Sequence, residues 1–393
     1  MYSILSLIYI FSFNFQDIKL LSNLGSISTI GQYYLLPLSF FLVVINFKSL
    51  KKIKLIKYYI NFIIYFIIIN AIVLTVSMVF FGKIEEYNQL FIEKFIQLFL
   101  HLIFQTLTLG ALIIILKNIT IKKIKNIVIF SYIFLIGYFI YEKFILQEIG
   151  RLKLTLFEPS VAGCHLTVIF LLVLYFTKSK FFKLIESLVY FYILFNIGSK
   201  GTILVFFITI IFILLSKKKF LLKRIALSLV MILSGYVIFG EKIQKMFLSD
   251  ILYYTSVITR SWSIITVIIL LLVIPIGSGG SYLYFYKKIG EWTEIILKKI
   301  FPKLNYWEIN YMLNTGINLT PKAGIFFGIL IGGIGYIIFN YKIIKYFYPK
   351  LKNEVKAVFI FIFLANLIYS SDFQLPVQLL VYAILQRIYQ NKE

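Results

Sequence analysis

Seven polar side chains carry the chemistry this chain could perform: Arg151, Lys153, Glu158, His165, Lys200, Arg260 and Glu308. Four of them share one stretch, Arg151-Leu-Lys153-Leu-Thr-Leu-Phe157-Glu158-Pro159-Ser160-Val-Ala-Gly163-Cys164-His165. Two cations ahead of a carboxylate can hold an anionic group while the carboxylate handles a proton or a hydroxyl. The residue before a proline is kept out of the helical region, and proline suits a first helical turn, so a helix is expected to begin at about Pro159 or Ser160. Glu158 then sits at the positive end of the helix dipole. The same residues also read more plainly, as a capped helix with Arg151 as the ion-pair partner of Glu158. His165, two turns along the same face, also reads as a satisfied buried histidine.

A second group is Gly198-Ser199-Lys200-Gly201-Thr202. The chain from Lys180 to Lys219 is only long enough for two membrane crossings at about 20 residues each, which leaves Lys200 at or just below the outer membrane plane. A cation is expensive there unless it faces a cavity or an anion, or snorkels to headgroups. The third group is Arg260 with Trp262, where arginine suits phosphate oxygens bidentately and equally suits a headgroup anchor. Glu308 and Asp250 are further carboxylates in the same region.

These residues need scaffolding, and composition says what kind. Over 393 residues, 61% are hydrophobic and 19% aromatic, more than a soluble core requires. An all-α, polytopic membrane protein follows, because lipid cannot satisfy free backbone amides. About twelve spans are predicted, near residues 1–15, 29–47, 58–81, 95–116, 126–146, 160–176, 181–197, 201–216, 221–239, 322–340, 355–371 and 373–388. The first lacks a basic n-region and a small-residue cleavage site, and is therefore kept as an anchor. The whole of 1–393 reads as one integral membrane domain.

Basic residues orient it. In and beside Lys48–Lys57, Lys117–Lys125, Lys178–Lys183, Lys217–Arg224, Lys342–Lys356 and the tail lie 24 of the 40 lysines and arginines, with only Glu186, Glu354 and Glu393 of the 16 acids. Cytoplasmic loops retain such a positive excess, so these segments and both termini are expected inside. The net charge of +24 is then a fit to anionic lipid, with no nucleic acid implied. A large external region is expected between about 240 and 321, with Trp262–Pro275 dipping into the membrane without crossing it. Its three tryptophans and many tyrosines suit interfacial anchoring or sugar stacking.

Several chemistries are argued against. A single cysteine, Cys164, permits no disulfide or cysteine-metal framework, and two histidines without closely paired carboxylates argue against metal-assisted chemistry. No phosphate loop or dinucleotide fingerprint is present, and no cofactor is implied. No repeat relates the halves, and no Gly- or Pro-broken pair of spans lies at matching positions, which weakens a transporter reading.

Taken in order, Arg151, then Phe157-Glu158-Pro159-Ser160, then Gly198-Ser199-Lys200-Gly201, then an arginine entering a large external loop, resembles the bacterial O-antigen or exopolysaccharide repeat-unit polymerases. These are the Wzy type, related to the O-antigen ligases. The resemblance runs in motif order from about residue 140 to 340. It implies a GT-C-like fold and a metal-independent glycosyltransferase in the bacterial inner membrane, acting on undecaprenyl-diphosphate-linked glycans at the outer face. It implies Arg151, Glu158 and Arg260 as catalytic residues, with Lys153, Lys200, His165 and Glu308 binding the diphosphate or acceptor. A chain-length regulator is an implied partner. The ligases are expected to carry a histidine in the large external loop. Residues 241–321 contain none, which favours polymerase over ligase. A lipid-linked oligosaccharide flippase is the reading outside enzymes.

Overall fold

The computed structural model describes residues 2–15, 35–81, 85–148, 150–156, 158–215, 256–351, 353–370 and 376–390. The predicted span at 221–239, the basic segment Lys217–Arg224, Phe157 and Asp250 lie outside these residues. Among the described residues the secondary structure is entirely helical. The first elements are α1 (Tyr2–Ser12), α2 (Leu36–Ile45), α3 (Phe47–Leu50), α4 (Lys54–Phe81), α5 (Glu85–Lys117) and α6 (Ile121–Ile140), the last running into a π turn, Tyr141–Ile145. Then come α7 (Pro159–Phe176), α8 (Lys180–Ile197), α9 (Lys200–Leu215), α10 (Ser256–Val273), α11 (Tyr282–Ile300) and α12 (Trp307–Thr315). The chain closes with α13 (Gly324–Phe347), α14 (Asn353–Ile368) and α15 (Pro376–Gln390).

Five stretches are long and apolar enough to cross a membrane: Lys54–Val76, Phe91–Lys117, Ile121–Ile145, Pro159–Phe176 and Gly324–Lys350. Large apolar side chains also face outward, among them Phe181, Leu188, Leu272 and Val273. Apolar surface of this extent fits a protein whose solvent is lipid. Helices occupy the other predicted spans within the described residues, and several of them are shorter than a full crossing.

The central helix is α7. Of Pro159–Phe176, 72% is buried inside the protein, against 33% of an 18-residue apolar stretch within Lys54–Val76. It packs on α6, α8, α9 and α14. Its start is legible in the chain: Glu158 is extended (φ −136°, ψ 149°), Pro159 occupies the first turn, and the Glu158 carbonyl accepts from Ala162 N–H at 2.9 Å.

The region expected to be external contains a helical hairpin. Its arms, α10 and α11, are antiparallel, joined by Trp262 Nε1 donating to the Gly290 carbonyl at 2.9 Å and by Tyr286 OH donating to Ser263 Oγ at 2.8 Å. Trp262 is therefore hairpin core at 0% exposure, whereas Trp292 and Trp307 stand outside at 67% and 68%. Only the latter two remain for anchoring or stacking.

The hairpin tip, Pro275–Ser281, wedges against a break in α13 at Gly333 (φ +50°, ψ −138°). Backbone groups released by the break are satisfied by the tip. Ile334 N–H donates to the Pro275 carbonyl at 2.8 Å, and Ser278 donates to the Leu330 carbonyl through both N–H (2.9 Å) and Oγ (2.6 Å). From α4, Asn70 Oδ1 accepts from Gly280 N–H at 2.7 Å, and Tyr65 OH donates to the Ile276 carbonyl at 3.0 Å. Gly333 lies nine residues into α13, roughly 14 Å along its axis, about half the depth of a bilayer core. At that depth unmatched amides cost several kcal/mol, so irregular backbone survives only where protein covers it. Glycine is required at 333: a Cβ would stand 2.2 Å from the Pro275 carbonyl oxygen.

Candidate functional site

Arg151, Lys153 and Glu158 are exposed, while the intervening Leu152, Leu154 and Leu156 are buried. The alternation suggests an extended strand-like path, yet the backbone turns. Leu156 N–H bonds back to the Lys153 carbonyl at 3.0 Å, and Leu154 adopts φ +55°. The cause is Glu142, in the π turn after α6 and 1% exposed. Its carboxylate accepts from Leu154 N–H at 2.8 Å and from Lys153 N–H at 3.4 Å. A buried carboxylate needs such donors, and in accepting them it fixes the segment carrying Arg151 and Lys153.

Arg151 lies across the second group. Gly198 ends α8 in the left-handed conformation (φ +66°), and a Cβ there would meet Arg151 Cγ at 3.3 Å. Left-handed geometry at a helix end and close approach of a side chain both favour glycine. Lys200 follows as the first residue of α9 and is half-buried. Ser199 Oγ and Thr202 Oγ1 are 2.7 Å apart, and Thr202 Oγ1 reaches Tyr369 OH at 3.0 Å. Gly163 of α7 faces this pair so closely that a Cβ would lie 2.6 Å from Thr202 Oγ1. Glu158 therefore stands about one and a half turns beyond the contact between α7 and the start of α9. Its carboxylate accepts from Ser160 Oγ at 3.1 Å, and among the described residues it forms no ion pair with Arg151. The cation and the carboxylate are thus not spent on each other.

Arg260 and Glu308 belong to a neighbouring group. Thr259, just before half-buried Arg260, donates through Oγ1 to Glu308 Oε2 at 2.9 Å, and Lys322 Nζ lies 3.7 Å from Glu308 Oε1. Two residues on, Gly324 N–H donates to the Ser370 carbonyl at 2.5 Å, and the adjacent Tyr369 ring lies against Gly201, where a Cβ would meet it at 2.7 Å. Through Tyr369 and Ser370, Arg260, Glu308 and Lys322 gather at the same end of the bundle as Arg151, Glu158 and Lys200.

His165 is apart from them. It is 3% exposed inside α7, with Nε2 2.8 Å from Asn14 Oδ1. Glu142, Thr259 and Lys322 were missed by sequence reasoning. The one signal for Glu142 was an acidic residue at the end of a predicted span, which is costly unless it has partners.

Fold and site together define an all-helical protein of membrane type with paired cationic and acidic groups at one end of its bundle. No family model matches the chain, and no solved structure matches it. The chain is similar to a protein of Klebsiella pneumoniae described as an uncharacterized 49.5 kDa protein in the cps region, with 31% identity over 241 residues, covering 59% of this chain. The chain spans about half of that relative's length, 54%.

Proposed function

We propose that this chain joins undecaprenyl-diphosphate-linked oligosaccharide repeat units into a surface polysaccharide at the outer face of the bacterial inner membrane. The observation carrying this reading is the arrangement of Arg151 over Gly198, next to Lys200 and at the same end as Glu158. The Klebsiella relative supports the broader part, a role in surface polysaccharide biosynthesis, since a cps region is a capsule polysaccharide region.

In this reading a growing glycan on the lipid diphosphate is the donor and a terminal sugar hydroxyl of a new repeat unit is the acceptor. The acceptor oxygen bonds to the anomeric carbon, the anomeric C–O bond breaks, and the lipid diphosphate leaves with the extra negative charge. Arg151, Lys200 and Arg260 stabilise that charge. One such preorganised donor is worth on the order of 10²- to 10³-fold in rate, roughly 3 to 4 kcal/mol. Glu158, exposed and held by Ser160, orients the acceptor hydroxyl or takes its proton, a contribution of about 10²- to 10⁴-fold for a general base. Lys153 offers a further cation to the diphosphate. Glu308 is bound to Thr259 and Lys322, which suits positioning of Arg260's helix better than proton transfer. His165, enclosed by protein and bonded to Asn14, is better placed to support α7 from within than to touch substrate. Chain length is set with a partner regulator.

The test is the glycan profile of cells that depend on this chain. Arg151→Ala or Arg260→Ala should leave single repeat units on the surface in place of long polymer. Loss of all surface glycan supports a ligase or flippase, and unchanged polymer length removes these residues from the site.

A further inference from the structure

A cavity of about 650 Å³ opens at the other end of the bundle. It lies beside Tyr346 near the end of α13, 22 residues and roughly 33 Å from Gly324 along the helix. Three basic segments distant in sequence meet there. Lys48, Lys52, Lys54, Lys117 and Lys350 line it, and among the described residues no aspartate or glutamate does. Leu50 and Ile113, both buried, form apolar wall.

One side of this cavity is built with fixed geometry. Gln386 is 3% exposed and its Oε1 accepts from Tyr346 OH at 3.0 Å. Lys350 Nζ sits 4.8 Å from the Tyr346 ring centre and 3.8 Å from that of Tyr389, and donates to the Tyr389 hydroxyl. Cation–π contacts and the hydrogen bond hold this ammonium at the cavity wall. Five like charges around one concavity repel each other, and among the described residues that line it there is no carboxylate to offset them. A multivalent oxygen anion does so, and ammonium groups are effective point charges for phosphate. The volume falls in the range of small-molecule sites, and basic pockets between helices on a positively charged face suit lipid phosphate.

We propose that this cavity binds a phosphate-bearing anion, with the apolar wall favouring an anionic phospholipid headgroup over soluble phosphate. This site is separate from the one at Arg151 and does not rest on the polymerase reading.

The test places the full chain in nanodiscs of phosphatidylcholine with or without phosphatidylglycerol and counts retained lipid by native mass spectrometry. The wild type should retain phosphatidylglycerol in preference to phosphatidylcholine. The triple variant Lys52→Gln, Lys54→Gln, Lys117→Gln should bind it about 100-fold more weakly, at roughly fivefold per lysine. A control variant, Lys122→Gln, Lys178→Gln, Lys180→Gln, removes equal charge from exposed positions outside the cavity and should retain the lipid. A second arm adds inorganic phosphate or diphosphate to protein in neutral detergent. Protection against heat equal to that given by phosphatidylglycerol, and lost in the cavity variant alone, supports the site with a soluble anion as its source. Equal weakening in both triple variants, or no preference for phosphate-bearing anions of net negative charge, overturns the proposal.

Discussion

The two ends of this bundle use positive charge in different ways. At the Arg151 end, cations are few, carboxylates stand beside them, and the backbone is tightly specified by Glu142, Gly198 and Gly201. At the Lys48 end, lysines are many and exposed, and among the described residues no acid lines the cavity they share. Charge of the second kind is shared among several lysines, of which Lys350 is held against the Tyr346 and Tyr389 rings. Charge of the first kind depends on where each atom sits, as expected if it must meet charge developing during a reaction.

Substitutions can break this contrast. The largest expected effect is on catalysis: Arg151→Ala should lower polymer formation by about 10²- to 10³-fold with little loss of folded protein, because the side chain is exposed. Glu142→Ala comes next. It leaves the Lys153 and Leu154 amides, the latter buried, without their acceptor, and should lower thermal stability in detergent by about 1 to 3 kcal/mol while exposing residues 150–156 to protease. Gly201→Val should cost about 1 to 3 kcal/mol, measured the same way, since even a Cβ would meet Tyr369 Cγ at 2.7 Å and Tyr369 is packed in the core. The smallest effect belongs to the opposite end: Lys54→Gln should change stability by no more than about 0.5 kcal/mol, in thermal melts without added anion. If Lys54→Gln reduced polymer as strongly as Arg151→Ala, the contrast between the ends would fail.

Local rules made part of this legible in the sequence. The start of α7 at Glu158-Pro159 follows from steric limits on adjacent residues, and the left-handed end of α8 from glycine at 198. The positions of most helices follow from apolar length. What stayed hidden depends on contacts between distant segments. Glu142 meets Lys153 and Leu154 only because a π turn aims it back, and the alternating leucines gave no hint of the turn it imposes. The break at Gly333 is invisible without the hairpin tip that satisfies it, about 50 to 60 residues earlier in the chain. Trp262 looked like an interfacial residue because of its neighbours, but Gly290 leaves the space that buries it.

Whether the Arg151 end carries out chemistry is measured with purified chain in vesicles holding an undecaprenyl-diphosphate-linked repeat unit, following polymer length over time. The wild type should elongate, Arg151→Ala should do so at a rate lower by about 10²- to 10³-fold, and Lys54→Gln at a near-normal rate. Elongation by Arg151→Ala at the wild-type rate would contradict chemistry at that end.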